Sequence, residues 1–196
     1  MDTILLNAVA RLKVGGLIIF PTETVYGLGA SIYSDAGITE IYRLKNRPQN
    51  KSLSVHIGLL DQVTEVAQNI PTLFYKLARK FMPGPLTVVL EKKAGVSPLI
   101  SQDGTVAVRM PNHLLFSRLI TLCGFPIVGT SANLSGDKPL WNAQDAQKLF
   151  PDFLTLDGGN CRFKEASTVI SLLDSKVSIL REGALSSEEI FSFLQK

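Results

Sequence analysis

Lys45 and Arg47 stand two residues apart where an apolar-periodic segment ends, just ahead of Pro48. Proline disfavours helical backbone at Arg47, and in an extended chain residues two apart share a face. An ammonium and a guanidinium on one face form a clamp for phosphate or carboxylate, with Lys51 on the next loop. The plainer reading is a pair of solvated cations meeting the negative end of a helix. Ser131 and Asn133 repeat the two-apart spacing after the apolar run 126–128, between Gly129 and Gly136. Such a loop offers hydroxyl, amide and backbone N–H groups to an anion, or it is a turn closed by its own hydrogen bonds. Thr105 and Arg109 share a face opposite Val106 and Val108, and Arg109 is a candidate holder of a carboxylate or an ordinary exposed arginine. Thr24 and Tyr26, and Ser54 and His56, have the same spacing, while Ser167 begins a strand and Arg181 ends one.

These groups need elements to carry them. Apolar residues 17–20 read as a buried strand that runs into Pro21-Thr22-Glu23-Thr24-Val25-Tyr26-Gly27-Leu28-Gly29. Polar groups would then be presented at the strand's carboxyl end, where open α/β sheets bind ligands. Residues 3–14, 34–45, 59–67, 72–82 and 186–194 carry helical periodicity, and Asn112 is placed to cap a helix ending at 122. Strands are expected at 53–57, 86–90, 106–110, 126–128, 153–156, 167–172 and 177–181. Helices and strands interleave, but some strands follow one another directly. The pattern predicts one α/β domain over 1–196, a mixed parallel and antiparallel open sheet with helices packed on it.

The 196 residues are 45% apolar and 19% charged, with a net charge of +3. That composition suits a chain with a proper core, and the charge is mild for a nucleic-acid binder. No apolar run approaches the roughly 20 residues of a membrane span. The start, Met1-Asp2-Thr3-Ile4, lacks the basic and apolar regions of a signal peptide, so a cytoplasmic protein is expected. Cys123 and Cys161 read as reduced thiols, and two histidines make a zinc centre an unpromising reading. The chain has no P-loop, no Gly-x-Gly-x-x-Gly after its first strand, and no Gly-x-Ser-x-Gly elbow. Any nucleotide would be held by dispersed side chains.

Taken in order, eight short runs resemble the threonylcarbamoyl-AMP synthase family, built on a YrdC-type domain. They are residues 21–28, Lys45-Asn46-Arg47-Pro48, Ser54-Val55-His56-Ile57 and Pro83-Gly84-Pro85-Leu86-Thr87. The rest are Val106-Ala107-Val108-Arg109-Met110-Pro111, residues 131–136, Ser167-Thr168-Val169-Ile170 and Leu180-Arg181-Glu182-Gly183. The resemblance covers nearly the whole chain. It implies a nucleotidyltransferase that converts L-threonine, bicarbonate and ATP into threonylcarbamoyl-adenylate and pyrophosphate. The adenylate would supply the threonylcarbamoyl group placed on tRNA beside the anticodon by downstream transfer machinery. Mg²⁺ is implied as the companion of ATP, with no dedicated protein site. By the same resemblance Lys45, Arg47, Ser131 and Asn133 fall on the signature around the phosphates. Lys51, Thr105 and Arg181 match further ATP contacts, and Thr24, His56, Arg109, Ser131 and Ser167 match positions near threonine.

The chain ends 15 residues after Arg181 and so resembles the short form without a further carboxyl-terminal domain. Glu182 stands where many synthases have proline, and Glu165-Ala166 replaces the usual pair before Ser167. Two other readings stay open. One is a non-catalytic RNA-binding protein with a basic face for tRNA or double-stranded RNA; the other is a carbamoyl-transfer relative acting on a different amine.

Overall fold

A computed structural model describes residues 3–174 and 176–195; Met1 and Asp2, where the amino-terminal reading begins, lie outside them. Helix α1 (Thr3–Lys13) leads into β1 (Ile18–Phe20) and β2 (Gly27–Ser31), then α2 (Asp35–Leu44) and β3 (Ser54–His56). A short 3₁₀ turn and α3 (Val63–Val66) precede α4 (Thr72–Phe81), β4 (Leu86–Glu91), β5 (Thr105–Arg109), α5 (Leu114–Cys123) and β6 (Ile127–Ser131). The chain continues through α6 (Ala143–Leu149), β7 (Leu154–Thr155), β8 (Thr168–Ser171), β9 (Ser178–Arg181) and α7 (Ser187–Leu194). All nine strands join one sheet in the order β7-β1-β2-β6-β3-β5-β4-β8-β9. Three parallel pairs (β1 with β7, β3 with β5, β4 with β8) lie among five antiparallel ones in the described residues, the mixed sheet that the sequence predicts.

Strand alternation sends side chains to two faces. One face carries Val55, Val88, Leu90, Val106, Val108, Val128 and Ile170 into the larger core, with Ile38 and Ile41 of α2 and Phe74 and Leu77 of α4 packed there. On the other face Ile18, Phe20 and Ile127 meet α1 and α5 through Leu5, Leu12, Phe116 and Leu119. That cover reaches only part of the second face. Further along, the outward residues become small or polar, and the face lies open.

Several expectations need correction. Residues 27–31 form β2, an antiparallel partner of β1 and β6, instead of leaving the sheet as a ligand loop. Gly27 and Gly29 make that possible: a Cβ at Gly27 would lie 2.5 Å from Phe20 Cζ, and one at Gly29 would lie 2.8 Å from Phe20 Cε1. The ring of Phe20 therefore occupies the space above two glycines. Residues 143–149, given no element by sequence reasoning, form α6 under an Asn142 cap whose side chain accepts from Asp145 N. Helix α5 is capped by His113, whose Nδ1 accepts from Leu115 N, and not by Asn112. Asn112 N is instead drawn to the Glu23 carboxylate at 3.0 Å. Strand β6 also extends through Ser131, which the sequence reading put in a loop.

Candidate functional site

The open part of the second sheet face forms the floor of a cavity of about 510 Å³. Two rows of paired residues build it. Gly129 of β6, Ser54 of β3, Ala107 of β5, Val89 of β4 and Ser171 of β8 stand side by side across the sheet. Next to them run His56, Arg109, Thr87 and Val169, with Arg181 of β9 at the end of that row. Small side chains leave the space, and longer polar ones frame it. Seven of the candidate residues line this cavity: Arg47, His56, Thr105, Arg109, Ser131, Ser167 and Arg181. The cavity thus lies on a sheet face, and Thr22, Val25 and Tyr26 of the stretch after the first strand line it as the sequence reading expects.

Lys45, Lys51, Thr24 and Asn133 are not in the lining. Helix α2 ends with Asn46 at φ 48°, while Asn46 N donates to Arg43 O and Arg47 N to Tyr42 O. This double bond pattern with a left-handed residue after the helix is a Schellman cap. It corrects the extended geometry expected at this point and sends the two side chains to different partners. Lys45 is 1% exposed, and its Nζ donates to the backbone carbonyls of Ser131 and Asn133. Burial pushes the Lys45 ammonium down to about 7, with Arg47 adding to the effect and Asp137 opposing it. Lys45 therefore holds the Ser131–Asn133 segment against the end of α2. Arg47 turns to the cavity, steadied by bonds from Nε to Lys51 O (2.9 Å) and from one Nη to Ser52 O (2.7 Å). Lys51 itself is exposed and contributes only its carbonyl to that contact. Asn133 spends its amide N–H groups on Leu134 O and Asp137 O, which leaves its buried Oδ1 without a partner.

Three guanidinium groups face the cavity, from Arg47, Arg109 and Arg181, against the single carboxylate Asp103 in the lining. Burial is the main cause that lowers the pKa of Arg47 and of Arg181. Repulsion from Arg181 adds to it at Arg47, and repulsion from Arg109 adds to it at Arg181. Arg109 is paired with Glu23 behind it, while Arg47 and Arg181 have no carboxylate partner among the described residues and favour an anionic ligand, whose arrival relieves both the desolvation and the repulsion. Arg181 is braced by two bonds to Ser167 O (3.2 and 2.7 Å), and the Ser167 hydroxyl pairs with Thr87 at 2.8 Å. Thr105 donates to Asp103 Oδ1 at 2.7 Å.

His56 is 5% exposed, edge-on to Phe20 and Phe116 with ring centres 5.4 and 5.9 Å away. Burial, and secondarily Arg109, pushes its pKa down to about 3, so the imidazole is neutral at physiological pH. Its Nδ1 and the Nε of Arg109 are buried without partners on adjacent strands. Both atoms belong to residues that line the cavity but are themselves screened from it.

Sequence reasoning missed three contributors. Glu23 lies behind Arg109, Thr87 supports Ser167, and Asp103 supplies the lining's carboxylate. Tyr26, noted for its spacing from Thr24, lines the cavity and ties down the 158–159 loop through bonds to Gly159 O and from Gly158 N. Burial raises the Tyr26 phenol to about 12. The signal for Glu23 was present, a carboxylate directly after a buried strand and flanked by two threonines. Asp103 had none beyond its place two residues before Thr105. Cys123 and Cys161 are free and buried, with burial raising each thiol to about 11. Among the described residues no group of three or more His, Cys, Asp or Glu side chains could hold a metal ion. No helix among them is long and apolar enough to cross a membrane.

The Sua5/YciO/YrdC family model, described as telomere recombination, matches residues 10–183. Threonylcarbamoyl-AMP synthase of Pyrococcus abyssi is 41% identical over 93% of this chain, and that of Bacillus subtilis 36% identical over 96%. The chain spans 55% and 56% of their lengths. The Mus musculus threonylcarbamoyl-AMP synthase is 33% identical, with 96% of this chain and 70% of that protein covered. The crystal structure of Pyrococcus abyssi Sua5 complexed with L-threonine superposes with a TM-score of 0.93 at 39% identity, over 97% of this chain and 57% of that one. Escherichia coli YciO, at 21% identity and a TM-score of 0.84, shares the fold over 93% of this chain and 90% of its own. A cation-lined cavity on the open face of a mixed sheet, the eight motifs and these likenesses agree: the chain belongs to the Sua5/YciO/YrdC family.

Proposed function

We propose that this protein is an L-threonylcarbamoyladenylate synthase, a nucleotidyltransferase that acts on ATP, L-threonine and bicarbonate in the cytoplasm. One observation carries the reading: three guanidiniums share a 510 Å³ cavity whose lining holds one carboxylate, Asp103. A nucleoside triphosphate and an amino acid carboxylate are both anions, and a cavity that holds them together needs such a cationic surplus. Relatives that bear the synthase name, one of them solved with L-threonine, support the choice of substrates.

In this mechanism threonine's amine and bicarbonate combine to a carbamate with loss of water. A carbamate oxygen then attacks the α-phosphorus of ATP, the bond to the β-phosphate oxygen breaks, and pyrophosphate leaves. Arg47 and Arg181 offset the negative charge that gathers on the phosphates in transit. Mg²⁺ enters with ATP as part of the substrate. Arg109 takes the threonine carboxylate, and neutral His56 lines the wall without adding a charge. Thr105, Ser131 and Ser167 supply hydroxyls at the cavity wall. Lys45 and Asn133 act from behind it, by fixing the segment that presents Ser131. Holding both reactants in one cavity makes the encounter intramolecular.

The test is to incubate the chain with MgATP, threonine and carbon-13 bicarbonate and to identify the product by mass spectrometry. Threonylcarbamoyl-adenylate that carries the label is expected, with pyrophosphate in equal amount. ATP consumption independent of threonine would contradict the assignment. A second reading, contact with RNA, is favoured by Lys76, Arg79 and Lys80 of α4, which line a separate groove with Tyr75 and Phe193. Its mark would be an RNA affinity that falls steeply with salt, lowered by substitution of those cations.

A further inference from the structure

Among the described residues Glu23 is the only buried carboxylate, 6% exposed, and it is not in the cavity lining. A carboxylate withdrawn from water is retained only where partners compensate it. Its Oε1 lies 2.9 Å from an Arg109 Nη, and its Oε2 accepts from Asn112 N at 3.0 Å. The neighbouring Thr24 accepts from the same Nη at 2.7 Å and pairs with Thr22 Oγ1 at 2.8 Å. Thr22 Oγ1 in turn accepts from Thr24 N and Val25 N and donates to Val25 O. An ion pair from Glu23, whose Oε1 makes no hydrogen bond, and a hydrogen bond to Thr24 therefore hold one Nη of the guanidinium. The Nε of Arg109 is buried out of reach of a ligand, and the other Nη, neither bonded nor fully buried, is the nitrogen left to the cavity.

A guanidinium binds a carboxylate through a planar edge, and the groups that hold the rest of it decide which edge is free. We propose that Glu23 is a positioning residue that, with Thr24, fixes Arg109 by one Nη and leaves its other Nη for the carboxylate of the amino acid substrate. The inference rests on the reading of this cavity as a threonine site. Glu23 supplies a charge as well as an acceptor. It neutralises Arg109 from behind, so that Arg109 and Arg181 can both stand in the cavity before a ligand arrives. Through Oε2 it also ties the exit of β5 to the turn after β1, which links the two segments whose geometry sets the guanidinium.

Glu23→Gln keeps the shape and an acceptor for Asn112 N while it removes the charge. Calorimetry on the full chain is expected to show threonine binding weakened about 10–100-fold, as the guanidinium loses its charge partner. Affinity for a nonhydrolysable ATP analogue should change less than about threefold, and KM for threonine should rise with kcat retained. Glu23→Asp should recover part of the loss. Thr24→Val, which removes the second grip and leaves the ion pair, should weaken threonine alone by about 3–10-fold. Unchanged threonine affinity in either variant overturns the inference. So does a parallel loss of threonine affinity, nucleotide affinity and melting temperature, the pattern of a merely structural ion pair. A native chain that binds no threonine overturns the functional reading underneath, which is a different result.

Discussion

The covered and open halves of one sheet face are built on the same hydrogen-bonded rows, yet one is core and the other is a site. In the covered half Ile18, Phe20 and Ile127 reach α1 and α5, and glycines at 27 and 29 give the Phe20 ring its room. In the open half the corresponding positions are Ser54, Ala107, Thr87 and Ser171, with Arg109 and Arg181 at the border. Among the described residues no helix contributes to the cavity lining, so water or a ligand covers it. A single sheet can thus hold a structural and a functional surface, divided by side-chain size and charge alone. His56 sits at the division, its ring against Phe20 and Phe116 and its Nδ1 unpartnered.

Substitutions on the two sides should therefore fail in opposite ways. Phe20→Ala should destabilise the fold by about 3–5 kcal/mol, measured by urea unfolding, because the ring fills space that no neighbour can reclaim. Arg47→Ala should leave the unfolding midpoint nearly unchanged and lower threonine-dependent pyrophosphate release by about 10²–10³-fold. If both variants lost stability and activity together, the two halves would not be distinct. Ala107→Leu would raise the cavity floor, and nucleotide affinity is expected to drop at least about tenfold while stability shifts by less than about 1 kcal/mol. The border residue provides the finest comparison. With its native pKa pushed down to about 3 and an ordinary value of 6.5, His56 takes up a proton in the unfolded chain first. Its contribution is complete above pH 6.5 and is lost as pH falls towards 3, at up to about 1.4 kcal/mol per pH unit. The difference between native and His56→Gln unfolding curves across pH 4–7 isolates that slope, and its absence would mean that His56 is hydrated.

Much of this division was legible before the fold was known. Alternation at 53–57 and 105–109 separated the valines of the core from Ser54, His56, Thr105 and Arg109, because strand periodicity is set by backbone geometry. The sequence also marked the end of α2 at Lys45. It did not give the directions of Lys45 and Arg47, which depend on a left-handed Asn46 that spacing cannot reveal. Strand β2 was hidden because Gly27-Leu28-Gly29-Ala30-Ser31 has low strand propensity, and pairing with β1 and β6 overrides it. Helix α6 is short and polar, with only Ala143 and Ala146 fully buried, so its periodicity is faint. The motif residue Glu182 is likewise explained only by the fold: its carboxylate accepts from Ser187 N and Oγ at the start of α7. Glu23 escaped notice because its role depends on Arg109, 86 positions away in sequence.

The most direct measurement is a crystal structure of the chain grown with threonine and a nonhydrolysable ATP analogue. The triphosphate should lie within hydrogen-bonding distance of Arg47 and Arg181, and the threonine carboxylate should sit on Arg109 above the Gly129–Ser54–Ala107 row. Ligands bound elsewhere, or a cavity left to solvent at saturating concentrations of both, would contradict the assignment of the open half as the site.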